Sequence, residues 1–124
     1  MITLVFVLRR RPELSEEEFH HYWREQHAPL VRKHADALGI RRYSQLHTLD
    51  TPFTEAIRAS RGCQPSEYDG VALVWFDSLD ALGAAATTAE GRAAGTALLT
   101  DEQRFLDLER CLIWLTEDHR VVEA

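Results

Sequence analysis

Three side chains in this 124-residue sequence could move a proton and hold an oxyanion at one site: His27, Tyr43 and His47. An imidazole titrates near neutral pH and can take a proton or return it. A phenol can donate a hydrogen bond to a carbonyl oxygen and steady the enolate that forms when the adjacent carbon is deprotonated. His27 stands in Gln26-His27-Ala28-Pro29, where Pro29 withdraws a backbone donor and leaves the Glu25 carbonyl without its helical partner. A histidine there is a candidate general acid or base; the plainer alternative is a buried imidazole tied to a backbone carbonyl. Tyr43, Gln45 and His47 alternate along a strand-like run and therefore share a face. If that face meets a helix, the phenol and second imidazole approach His27; if it meets another sheet, they are interface residues. Tyr22, Trp23, Trp75, Phe76 and Trp114 are candidates to line a pocket for a flat ligand, although each of them alone reads first as a core residue.

Other chemistries find less support. His20 and His21 are neighbours and diverge by about 100° on a helix, and His20, His27 and His34 are seven residues apart. No metal site is expected from that spacing. Neither a glycine-rich phosphate loop nor a Ser-His-Asp order is present. Cys63 lies in a long connection and is expected to be an idle surface thiol.

The elements that must position these residues are legible. Ile2 to Leu8 is almost wholly apolar and β-branched or aromatic, as in a strand buried on both faces. Ser15 with Glu18 forms a capping box, with Leu14 and Phe19 placed as a hydrophobic staple. From Phe19 to Leu38 apolar residues and histidines recur at helical spacing, Pro29 predicts a kink around His27 and Ala28, and Gly39 is a stop. A second strand is expected over residues 41–49 and a short helix over 53–60. A third strand covers 71–76, and Ser78 caps the helix that follows. That helix is expected to break at Gly83, Gly91 and Gly95, with a new start capped by Thr100 and Gln103. A fourth strand covers 111–115. The order is β-α-β-β-α-β, an α+β, ferredoxin-like arrangement. Three of the four strands are too apolar for a sheet with one wet face, which predicts a homodimer in which two sheets pack together.

Composition agrees with one domain over residues 1–124: 45% hydrophobic and 27% charged residues suit a globular chain. The net charge of −6 argues against nucleic acid as a partner, and the run Arg9-Arg10-Arg11 is read as the solvated end of a strand. The two cysteines do not make a disulfide framework, and neither a signal peptide nor a membrane span is expected, so a cytoplasmic protein is anticipated.

The stretch Leu14 to Val31 (LSEEEFHHYWREQHAPLV) resembles the signature of the EthD-like family in the dimeric α+β barrel superfamily. Arg42-Tyr43 with His47, Tyr68-Asp69-Gly70-Val71, Trp75-Phe76-Asp77-Ser78 and Arg104-Phe105-Leu106-Asp107 also match in order and spacing. The resemblance implies a ferredoxin-like protomer that pairs into a barrel. It also implies a pocket between sheet and helices, with the motif histidine, His27, facing it. Superfamily relatives include cofactor-independent cyclases, isomerases and monooxygenases as well as haem enzymes. The expected function is therefore proton-transfer chemistry (cyclisation, dehydration or isomerisation) on a hydrophobic, aromatic or polyketide-like molecule, without a cofactor. His27 would be the acid or base, and Tyr43 and His47 would orient a carbonyl. The alternatives are a cofactor-free monooxygenase of a phenolic substrate and a non-catalytic binding protein for a hydrophobic metabolite.

Overall fold

A computed structural model describes residues 1–124. Four strands, β1 (Ile2–Leu8), β2 (Arg42–His47), β3 (Gly70–Phe76) and β4 (Leu112–Glu117), form one antiparallel sheet in the order β2-β3-β1-β4. The first crossover from β1 to β2 runs through α1 (Glu16–Tyr22), a π-helical turn (Trp23–His27) and α2 (Ala28–Leu38). After α3 (Pro52–Arg61) and β3, the second crossover uses α4 (Leu79–Ala84) and the long α5 (Ala89–Phe105). None of these helices is long and apolar enough to cross a membrane.

Local chemistry explains the boundaries. The Ser15–Glu18 capping box forms in full, and Gly39 ends α2 at φ 72°, a left-handed conformation that glycine adopts without strain. Pro29 does not sharply break the first helix. The Ala28 N–H reaches back five residues to the Trp23 carbonyl, so the chain absorbs the proline through one wide turn that holds both Trp23 and His27. In the second crossover the break falls at Thr87 and Thr88, not at Gly91 or Gly95. Thr88 caps α5, which runs unbroken through Thr100 and Gln103. Gly91 serves close packing instead, since a Cβ there would stand 1.9 Å from the Ala85 carbonyl oxygen. The arginine run is more tied down than a solvated strand end. Arg9 and Arg10 both pair with the buried carboxylate of Asp69, and Arg11 pairs with Glu13.

The sheet has two different faces. Leu8 and Ala72 on its inner face meet Phe19, Trp23, Phe105 and Leu106 in the tightest part of the core. Burying each of these large side chains stabilises the fold by about 1.5–3 kcal/mol. On the outer face Val5 stands between Leu73 and Trp114, and Val7 aligns with Val71 and Leu46. Leu46 and Trp114 there are 48% and 47% exposed, an apolar surface without a cover in the single chain.

Candidate active site

Tyr43, Gln45 and His47 pair with Val74, Ala72 and Gly70 and so lie on the inner, helix-covered face of the sheet. Between that face and the helices lies a cavity of about 430 Å³, lined mostly by apolar side chains and including His27, Tyr43 and Glu102. The size and lining are those of a small-molecule site.

The π-helical turn aims His27 at α5. Its Nδ1 lies 2.7 Å from Asp101 Oδ2, and both residues are about 95% buried, at 5% and 4% exposure. The carboxylate can only accept, so Nδ1 carries the proton and Nε2 is left as the free base. Asp101 also accepts from the Tyr22 hydroxyl at 2.6 Å and from Arg104 at 3.2 Å. Burial works against its charge, but the donors Tyr22, His27 and Arg104 outweigh it and hold the carboxyl below its ordinary range. Burial pushes the His27 imidazole down and Asp101 only partly restores it, so the ring is neutral at physiological pH.

A second network ends at Tyr43. The Gln45 amide donates to the Trp23 carbonyl at 2.9 Å and to the Tyr43 oxygen at 3.0 Å, which turns its own oxygen toward His47 Nε2 at 2.8 Å. His47 therefore donates through Nε2, and its Nδ1 accepts from His20 Nδ1 at 2.7 Å. Because the Tyr43 oxygen already accepts from Gln45, its own O–H is free to donate. Burial raises the phenol's pKa and keeps that proton in place.

The expected site residues are thus divided. His27, Tyr43, Trp23 and Phe76 share the cavity. His47 does not line it. It stacks on Trp23 at 4.3 Å, with both ring nitrogens already bonded, and burial followed by the neighbouring His20 lowers its pKa to about 4. Tyr22 acts from behind, on Asp101. Trp75 and Trp114 lie on the outer face, where Trp75 bonds Asp118 and carries Arg42 over its ring. No three His, Cys, Asp or Glu side chains converge as a metal-ligand set.

Two carboxylates escaped the sequence reading. Asp101 and Glu102 lie on α5, where Thr100 and Gln103 suggested a helix start. The available signal was spacing: both stand one turn before Phe105 and so fall on the buried side of α5. Glu102 lines the cavity. Burial, followed by the charge of Asp101, raises its pKa to about 7.

Fold and site together describe a ferredoxin-like α+β domain with a buried histidine–carboxylate pair at the wall of an apolar cavity. Residues 11–109 match the EthD domain model, and the chain belongs to the EthD family. An ethyl tert-butyl ether D (EthD) family protein from Bacillus halodurans shares 22% identity and a TM-score of 0.62, over 96% of this chain and 100% of that one. SnoaB, a cofactor-independent oxygenase from Streptomyces nogalater, shares 15% identity and a TM-score of 0.57 over 99% and 97%. A dimeric ferredoxin-like protein of unknown function from Thermobifida fusca shares 16% identity and a TM-score of 0.55 over 93% and 88%. At these identities the likeness is one of fold. Among proteins of curated function, none matches the chain in sequence.

Proposed function

We propose that the protein is a small enzyme that acts without a cofactor and moves protons on an apolar carbonyl compound, aromatic or polyketide-like, held in the inner cavity. The observation that carries this is the His27–Asp101 pair. A neutral imidazole with one nitrogen anchored to a buried carboxylate keeps the other nitrogen free at the cavity wall. In this scheme His27 Nε2 removes the proton next to the substrate carbonyl, and the Tyr43 O–H donates to the oxygen on which charge develops. Each contribution is worth about 100-fold or more in rate. His47 supports Tyr43 through Gln45, and Trp23 and Phe76 shape the apolar wall.

The test is proton exchange. Purified protein in heavy water is offered methyl ketones bearing aryl or alkyl groups, and deuterium uptake is followed by NMR. Wild-type protein is expected to exchange the proton and His27→Asn to lose the activity. Full activity in His27→Asn would sink the proposal.

A second reading, cofactor-free oxygenation of a phenol, is favoured by the structural likeness to SnoaB and begins with the same deprotonation. Oxygen consumed in step with substrate would select it; deuterium exchange without oxygen uptake selects the first.

The proposed working unit is a homodimer with the two outer sheet faces packed together. The support is the apolar row of Val5, Val7, Val71 and Leu73 beside the half-exposed Leu46 and Trp114. Light scattering should give twice the chain mass of 14.2 kDa across a dilution series. A monomer throughout would refute the dimer.

A further inference from the structure

Asp101 and Glu102 are adjacent on α5, yet they meet opposite surroundings. Asp101 turns toward Tyr22, His27 and Arg104, three donors that keep it charged. Glu102 turns into the apolar cavity, where no hydrogen bond or ion pair offsets its burial. The other ionisable side chains facing that space are His27 from the π-helical turn, Tyr43 from β2 and Arg92 from α5 itself; β1, β3, β4, α2 and α4 contribute none. Arg92 is exposed and donates to the Ala86 carbonyl. An uncompensated carboxyl in such a place resists charge and holds its proton to a higher pH than an ordinary carboxylate does. When two titratable groups in one cavity are biased apart in this way, their environments assign the roles of base and acid.

We propose that Glu102 is a second catalytic residue of this cavity, a general acid that protonates a leaving oxygen, so that with His27 as base the site removes water from an apolar β-hydroxy carbonyl compound. The role rests on His27 being the base proposed above. His27 Nε2 takes the proton from the carbon beside the carbonyl, and the C–H electrons form a double bond to the β-carbon. The β-carbon–oxygen bond breaks, the departing hydroxyl takes the Glu102 proton, and water is released. Tyr43 holds the carbonyl oxygen meanwhile. The imidazolium then returns its proton to the Glu102 carboxylate, which resets both groups without oxidant or reductant.

The probe is the aldol adduct of benzaldehyde and acetone, whose dehydration to benzalacetone is followed by ultraviolet absorbance. Exchange of its α-protons in heavy water is followed by NMR. Wild-type protein should catalyse both processes, and His27→Asn should lose both. Glu102→Gln should lower kcat for dehydration by about 100-fold or more with little change in KM, a loss at least about tenfold greater than its loss in α-exchange. Independently, infrared spectra near neutral pH should show a protonated carboxyl band that Glu102→Gln lacks. Dehydration at the wild-type rate in Glu102→Gln, exchange without dehydration in the wild type, or absence of that band overturns the role of Glu102 and leaves His27 standing. A wild type that exchanges nothing overturns the base assignment and this inference with it. Should Glu102→Gln not fold, Glu102→Asp is read on the same two assays, because it keeps the acid but withdraws it by one methylene.

Discussion

The first helix carries His20 and His27 two turns apart, and the fold treats them in opposite ways. His27 is backed by a carboxylate, which fixes one nitrogen and leaves the other to act. His20 is backed by His47, and that second imidazole is bonded at both nitrogens, to His20 and to Gln45. A histidine's usefulness is thus decided by what occupies its far side. An acceptor-only partner fixes the tautomer and leaves one nitrogen unprotonated, whereas a chain of imidazole and amide sets hydrogen-bond direction and passes it on to Tyr43.

The largest expected effect tests that division directly. His27→Asn should lower proton exchange by about 100- to 10,000-fold, while His47→Gln should lower it by less than about tenfold. Equal losses in exchange kinetics would collapse the distinction. Next is the partner. Asp101→Asn sets an amide against three donors and should cost about 3 kcal/mol in urea denaturation.

The two regions should also respond to pH with opposite sign. Glu102, raised from 4.5 to about 7, holds its proton longer in the folded chain than in the unfolded one. Its stabilisation is full below pH 4.5 and fades as pH climbs to about 7, a decline of roughly 3 kcal/mol that Glu102→Gln should abolish. His47, lowered from 6.5 to about 4, behaves conversely. Its contribution is full above pH 6.5 and is lost as pH falls toward 4. The effect is about 1 kcal/mol after solvent screening, and His47→Gln should remove it. Denaturation curves across pH for the two variants sharpen the comparison; the same slope in both would break it.

Between the regions stands Trp23, seated on Gly70. A Cβ at Gly70 would come within 2.5 Å of the indole, so Gly70→Ala should cost about 1–3 kcal/mol and alter Trp23 fluorescence. An unchanged spectrum and stability would mean that Trp23 does not divide the histidine cluster from the cavity.

Much of this protein could be read along the chain. The strands, the Ser15 cap, the Gly39 stop and the shared face of Tyr43, Gln45 and His47 follow from apolar period, capping chemistry and strand alternation, all of which act over a few residues. What tertiary structure alone decided is which groups meet. Asp101 is 74 residues from His27 and became its partner only because α5 lies across the first helix. The same packing turned Glu102 into an apolar cavity and Asp101 into a nest of donors, although the two are chemically near-identical and adjacent. The β pairing likewise sent Trp75 and Trp114 to the far side of the sheet from Trp23 and Phe76. Local sequence determines the elements because their forces are short in range. The charge state and reach of a side chain depend on neighbours that the sequence places far away.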